Sequence, residues 1–576
     1  MLLTREASGK RWRIRLDGKE KVTGVLAYLT DRRMPSMLYG KVLRSAYPHA
    51  VIKAIQTDKA EQLAGVHAVV THKDVPGVNR FGIVIPDQPA LCEDRVRYVG
   101  DAVAAVAADS PELAEYALSL IEVDYEPLPV LDSPHAALQE DAPQLHLGGN
   151  VLHRTAYMRG NAEDAFARCR YIAEETYHTP RQMHVYMETE GGLFIPEEGG
   201  KLTVYAATQH GYKDQMQLSR ILGIPQDWIR VVSSPIGGSF GGKDELNVQP
   251  CGSLLALKSG RPVKMHYSRA ESVRAGLKRH PMTIEMKTGM DTNGHIIAHR
   301  VRITADTGAY ATLGGPVLQF ATEHASGPYQ IDHVDIEGIS VYTNNGVSGE
   351  FRGFGGNQVV FAMEGQIHRL AAAAGLDPWE LRRKNLRGLE DTGPLGQRIA
   401  PTDGALQIWK AIDACPLWHK RLKLESCAGI VALEAPWIRR GIGAAIVMHG
   451  AGLGFGIPDP AGGCISLTRE GKIRLSFGYE EFGQGLLSTM EILAIDLYHC
   501  GVEDLEIVIG DTARVPHSGS STASASDDYG LDGADADERA VYPQTSGGGV
   551  NPDRFICRCI RIGTRRHLPD NRRYSK

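Results

Sequence analysis

The sequence predicts an α+β chain built from several domains, on three observations. Its 576 residues exceed what a single hydrophobic core serves. Two stretches alternate apolar and polar residues, turn, and alternate again, as hairpins do. Helical patterns with clear start signals fall between and around such stretches.

The elements follow in order. Val25–Thr30 and Leu38–Leu43 read as short strands. Ser110 caps a helix with Pro111 at its first position, and Leu113, Tyr116, Ala117 and Leu120 supply an apolar face. Glu122-Val-Asp-Tyr then reads as a strand that enters a linker at Ser133-Pro134. A second unit, from about residue 150 to 400, holds a hairpin: Met282–Met290, a turn at Asp291-Thr-Asn-Gly294, and a return from Ile296. Asp377-Pro-Trp-Glu380 opens a helix with a cap, a first-turn proline and a capping-box glutamate. A third unit begins near Arg439 and contains a second hairpin, Ile465–Leu467 returning through Ile473–Phe477.

Composition excludes some classes. Hydrophobic residues make up 43% and charged residues 23% of the chain, ordinary proportions for a globular protein. A net charge of −5 offers no basic field for nucleic acid or a membrane surface. Gly441–Ile457 is the longest uncharged span, and it is too glycine-rich and too short for a membrane helix. The polar first residues do not read as a signal peptide. The nine cysteines are scattered; only Cys557 and Cys559 lie close, so an iron–sulfur cluster held by this chain alone is not expected. A reducing, cytoplasmic setting fits.

Three glycine-rich segments carry the chemistry. Gly237-Gly-Ser-Phe-Gly-Gly-Lys243 has the spacing of a phosphate loop, but Asp244 stands where a magnesium-binding hydroxyl belongs, and its charge would repel phosphate. A tight strand-to-helix turn is the plainer reading. Phe351-Arg-Gly-Phe-Gly-Gly356 sets one guanidinium between two aromatic rings in a loop with little side-chain bulk. It suits an anionic ligand and a flat ring, and equally a solvated arginine beside core phenylalanines. Gly478-Tyr-Glu-Glu-Phe-Gly-Gln-Gly485 presents Gln484, which both donates and accepts, and which could also be a satisfied buried glutamine. Gly450-Ala-Gly-Leu-Gly stops short of a dinucleotide fingerprint, because Phe455 occupies the third glycine's place.

Taken together, and with Lys21-Val-Thr-Gly, Asp31, Lys41–Ala50, Arg97–Val103, His184–Glu188, Thr208-Gln-His and Ser518–Ser524, these segments resemble the molybdopterin-binding region of the xanthine dehydrogenase/oxidase family. The resemblance spans about residues 15–525. It implies an N-terminal α/β-hammerhead domain (1–145), a first molybdopterin-binding domain (150–400) and part of a second (425–525), with 526–576 outside the family pattern and of disordered composition. It implies a molybdenum–molybdopterin cofactor here, with [2Fe-2S] clusters and FAD on partner subunits or domains. The implied activity is hydroxylation of an electron-poor carbon with water-derived oxygen.

The same resemblance implies the site. Gln209, Phe240, Arg352 and Ala523 surround the metal without bonding to it. Gly238, Gly241 and Gln484 bind the rest of the cofactor. Asp244 and Phe354 face the substrate. Three departures shape expectations. Asp244 replaces a glutamate of purine-oxidising members. No arginine occurs between Ile303 and Phe351, and Phe320 stands where those members carry one that orients substrate. The acidic then arginine-rich run after Ser524 does not match the family, whose base-bearing Gly-Glu motif is therefore not identified. The resemblance implies a purine of the xanthine/hypoxanthine kind as substrate, and the first two departures make an aldehyde or another N-heterocycle the alternative. They also lead us to expect little turnover from a chain truncated or frameshifted near residue 525. An inactive remnant is the reading from another class.

Overall fold

The computed structural model describes residues 15–233, 235–397, 399, 401–421, 441–450, 454 and 460–522. The segment expected to depart from the family pattern (526–576), Cys427, Cys557 and Cys559 and the site residue Ala523 lie outside them.

A seven-stranded sheet forms the largest layer. Its order is Ile229–Ser233, Leu202–Ala206, Gly191–Pro196, Val263–His266, Leu38–Arg44, Ala102–Ala108, Val66–Val70. Ala102–Ala108 is almost wholly apolar and buried, as a central strand covered on both faces should be. Leu38–Arg44 pairs antiparallel with Ala102–Ala108 on one side and parallel with Val263–His266 on the other. The sheet therefore runs across the boundary drawn near residue 145, and the first two units share a core. The helix Gln249–Ser259 packs on it through Cys251, Leu254 and Leu255.

A five-stranded sheet carries the second core: Val151–Arg159, His333–Tyr342, Ile296–Gly308, Met282–Met290, Tyr171–Thr179. The expected hairpin is present, with Met282 opposite Ala305. The helices Gly314–His324 and Gly356–Ala374 cover this sheet. The second expected hairpin, Gly463–Leu467 with Ile473–Phe477, joins Leu505–Ile509 in a small sheet under the helix Leu486–Tyr498.

Three local expectations change. Val25–Thr30 is not a strand; it follows the helix Gly18–Thr23 and turns into a short 3-10 segment, Leu29–Asp31. Its apolar residues serve a single anchor, Leu29, fully buried among Leu193, Ala207 and Ile236. The helix Pro111–Ser119 has its Ser110 cap, with Leu113 N–H donating to the hydroxyl at 3.1 Å. Its fully buried residues, however, are Ala114 and Ala117, Leu118 and Leu120 are partly buried against the cluster of Val69, Ala104 and Val106, and Tyr116 is 55% exposed. At the helix Pro378–Asn385, Asp377 caps Trp379 N–H at 2.8 Å, but Glu380 turns to Arg383 instead of closing a capping box.

A buried ion pair ties the second core together. Arg382, 1% exposed, donates to Glu364 at 2.8 Å, and the same carboxylate accepts from the Tyr329 hydroxyl and the Ile446 N–H. Arg382→Ala strands that carboxylate in the core. It is expected to cost about 3–5 kcal/mol in urea unfolding, whereas Arg382→Met/Glu364→Leu together cost less than Arg382→Ala alone. A single variant as stable as the parent would contradict this arrangement.

Candidate cofactor site

The three glycine-rich segments, far apart in sequence, meet around one cavity of about 1400 Å³. Gln209, Gly238, Phe240, Gly241, Arg352, Phe354 and Gln484 all line it. Asp244 does not; it is 1% exposed, and its carboxylate accepts from the Ser520 hydroxyl. Ala523 lies outside the described residues, while its neighbours Ser521 and Thr522 line the cavity.

The first loop leaves the strand Ile229–Ser233 and bends by left-handed backbone: φ is +91° at Gly238, +53° at Phe240 and +100° at Gly241. Glycine is needed at 241 for a second reason. A Cβ there would sit 2.9 Å from the carbonyl carbon and oxygen of Glu350, so the two loops pack backbone to backbone. Phe240 accepts the left-handed conformation as a non-glycine residue, and its ring, 43% exposed, stands in the cavity. The Phe240 carbonyl accepts from Arg352 N–H at 2.9 Å, which locks the second loop to the first.

The second loop repeats the device, with φ of +90° at Gly353 and +54° at Phe354, and feeds the helix Gly356–Ala374. Its tight turn holds the exposed Arg352 side chain and the nearly buried Phe354 ring on one wall. Phe354 meets Phe320 edge to face at 5.7 Å, and Phe320 stacks on His324 at 3.8 Å. The His324 ring accepts from Gly450 N–H at 3.0 Å, and burial drops its pKa to about 3, so it is neutral. His449, also depressed by burial, reaches the cavity beside this aromatic group. Phe354, Phe320, His324 and His449 thus form an aromatic, uncharged cluster beside the cavity.

The cavity is also lined by donors. Arg279 is 8% exposed, lies 4.0 Å over the Phe351 ring, and gives Nη2 to the Arg352 carbonyl at 3.0 Å. Its Nη1 has no protein partner among the described residues, and burial lowers its pKa to about 10. In the third loop, Gln484 accepts from Phe482 N–H and donates to the Glu480 carbonyl, each at 2.8 Å. Glu481 accepts from Gly483, Gly485 and Leu487 N–H and so caps the helix Leu486–Tyr498. Arg15 clasps this loop, donating to Glu481 and to the Gly483 carbonyl.

Gln209, 1% exposed, joins everything. Its side chain accepts from Gly241 N–H at 3.1 Å and donates to the Ser521 carbonyl at 3.2 Å. Its backbone pairs with Lys243 and Ser521 at 2.9 Å each. Sequence reasoning did not single out Arg279, Glu350, His449 or Glu481; only the acidic residue before Phe351-Arg352 gave a local signal. An anionic, flat, sulfur- and phosphate-bearing cofactor fits what is present: an unpartnered buried guanidinium N–H, a glycine-backed cradle and a second, exposed arginine head. Among the described residues no cluster of His, Cys, Asp or Glu is placed to hold a metal ion directly.

This fold and site define a cofactor-binding oxidoreductase chain, and comparison with known proteins gives the family. Residues 23–129 match the aldehyde oxidase and xanthine dehydrogenase a/b hammerhead domain, and 145–386 and 419–535 match molybdopterin cofactor-binding domains. The chain is 61% identical over 512 residues to a probable xanthine dehydrogenase subunit of Bacillus subtilis (strain 168), covering 89% of this chain and 67% of that one. It is 39% identical to the nicotinate dehydrogenase large molybdopterin subunit of Eubacterium barkeri, covering 69% and 93%. The solved aldehyde oxidoreductase of Desulfovibrio desulfuricans ATCC 27774 superposes with a TM-score of 0.84 at 27% identity, over 91% of this chain and 59% of that one. The chain belongs to the xanthine dehydrogenase family of molybdenum hydroxylases: a hammerhead domain followed by molybdopterin-binding domains. No described helix is long and apolar enough to cross a membrane.

Glu480 gives the site a pH signature. Its carboxyl is buried, accepts from Gly211 N–H at 3.1 Å and from the Ser521 hydroxyl, and burial raises its pKa to about 7. A proton held more tightly when folded means stability that is complete below the ordinary glutamate range and is lost as pH rises through about 7. The stability difference between the parent and Glu480→Gln is expected to shift against the parent by up to roughly 3 kcal/mol from pH 5 to pH 8, read by denaturant midpoints. Parallel profiles would contradict the raised carboxyl.

Proposed function

We propose that this chain is the molybdopterin-binding part of a hydroxylase for a planar N-heterocycle, with a purine of the xanthine/hypoxanthine kind as the leading substrate. One observation carries this reading. A single cavity is lined both by arginines and glycine-backed loops suited to an anionic cofactor and by an aromatic ring suited to a flat heterocycle. The similarity to a probable xanthine dehydrogenase subunit supports the purine.

In this reading Gln209, Gly238, Phe240, Gly241, Arg352 and Gln484 hold the cofactor, which when bound supplies the oxygen-insertion chemistry and takes up two electrons. Ala523 follows Ser521 and Thr522 in sequence, and those two line the cavity. Arg352 and Arg279 balance its negative charge. Phe354, braced by Phe320, presents a ring on which a heterocycle lies flat, and the tight aromatic packing behind it excludes water. Electrons pass to iron–sulfur and flavin partners. We place the chain in the cytoplasm, on its free thiols: Cys92, Cys169, Cys251, Cys415, Cys464 and Cys500 are all unbridged.

A second reading, an N-heterocycle other than a purine, is favoured by one feature. Phe320, 1% exposed, makes the wall behind Phe354 apolar, and Asp244 bonds to Ser520 rather than lining the cavity. The nicotinate dehydrogenase relative accords with it.

The test uses the full chain. Molybdenum and pterin are assayed after desalting, and xanthine, hypoxanthine, nicotinate and benzaldehyde are then titrated at equilibrium. We expect molybdenum and pterin to co-purify, and a heterocycle to bind at least about tenfold tighter than benzaldehyde. Phe354→Ala should weaken that heterocycle by about three- to tenfold. Protein devoid of pterin contradicts the hydroxylase reading, and tighter binding of benzaldehyde moves the substrate to aldehydes.

A further inference from the structure

Two imidazoles stand in the aromatic cluster beside the cavity, and their nitrogens differ in what they do. His324 is spent. Its Nδ1 pairs with the Phe320 carbonyl at 2.9 Å, and its Nε2 accepts from Gly450 N–H at 3.0 Å. His449 is not. It is exposed and lines the cavity. Its ring nitrogens have no hydrogen-bond partner among the described residues.

The backbone that carries His449 is held on both sides. Ile446 N–H donates to Glu364 at 3.1 Å, the Met448 sulfur accepts from Arg387 at 3.2 Å, and Gly450 is tied to His324. The segment belongs to the second molybdopterin-binding domain, and Glu364 and His324 to the first. The His449 ring lies 5.2 Å from that of Phe320, which lies 5.7 Å from that of Phe354. A fixed imidazole with unspent nitrogens thus stands in the wall of the cavity that Phe354 also lines.

A ligand pocket is largely apolar, and a few polar groups in its wall fix how the ligand is turned. His449 is such a group. Burial holds its pKa below the ordinary imidazole value, so near neutral pH the ring is uncharged and offers one N–H donor and one acceptor. The side chains of Phe320 and Phe354 offer neither. A heterocycle that stacks on Phe354 satisfies its face, but its ring nitrogens and ring carbonyls lie at its edge, in its plane. Those atoms accept, and they need a donor from the wall. A hydrocarbon of the same outline has no such atoms and gains nothing from an N–H.

We infer that His449 is a specificity-determining residue, whose ring N–H donates to a ring nitrogen or ring carbonyl at the edge of the heterocycle that lies on Phe354. This deepens the heterocycle reading above and rests on it. It supplies polar recognition that the phenylalanine wall lacks. It also brings that recognition from the second domain, so that residues of both domains grip one substrate.

The experiment uses the full chain with its cofactor and measures equilibrium dissociation constants for hypoxanthine, quinoline and naphthalene. Naphthalene has the flat outline of quinoline and no acceptor. His449→Leu should weaken hypoxanthine and quinoline by at least about fivefold and leave naphthalene within about twofold. His449→Asn and His449→Gln set an amide N–H near the places of Nδ1 and Nε2, and the better of the two should bind quinoline within about threefold of the parent. None of the three substitutions removes a hydrogen bond of the described fold, and each is checked independently. Equal quinoline affinity in the parent and His449→Leu overturns the inference while leaving the heterocycle reading intact. So does a loss shared equally by quinoline and naphthalene, or both amide variants as weak as His449→Leu. A parent chain that binds neither heterocycle overturns both.

Discussion

The side-chain amide of Gln209 is the constraint on which the site depends. A glutamine amide has one acceptor and one donor end, and here each is spent on a different segment: Gly241 N–H on one side, the Ser521 carbonyl on the other. The Gly237–Lys243 loop belongs to the first molybdopterin-binding domain and Ser521 to the second. Both of those domains line the cavity, together with Lys21, Tyr28, Thr30 and Asp31. Because Phe240 in turn holds Arg352 N–H, and Gly241 abuts Glu350, fixing the first loop fixes the second. Buried in this way, each of these bonds is worth more than on a surface, and losing one leaves its partner unsatisfied.

Two kinds of lining meet in the same cavity. Arginine heads and backbone N–H groups suit an anionic cofactor. Phe354, Phe320 and neutral imidazoles suit an uncharged ring. The division follows from sequence order. The glycines that bring backbone close also expose N–H groups, while the helices Gly314–His324 and Gly356–Ala374 bring their apolar faces up behind the second loop.

Much of this was legible in the sequence because it is local. Alternation and turn residues marked both hairpins, and glycine spacing marked all three loops, which do converge. The resemblance carried the family. What was not legible is what depends on distance. Leu38–Arg44 pairs with Val263–His266 across more than two hundred residues, and no local pattern announces it. Val25–Thr30 looked like a strand because a strand and a turn burying Leu29 need the same apolar residues. Tyr116 looked like core because periodicity marks a broad face, and the side that the sheet covers runs through Ala114, Ala117 and Leu118. Arg279, Glu350 and His449 escaped notice because each acquires its role from residues far away in the chain, and Asp244 turned toward Ser520 for the same reason.

The most direct measurement is amide hydrogen exchange on the parent and on Gln209→Leu, which keeps the volume and removes both hydrogen bonds. The account expects exchange to rise together in residues 237–243 and 518–522, by at least about tenfold, while Ala102–Ala108 stays protected. Unchanged protection in either segment would contradict the claim that one buried glutamine closes the site.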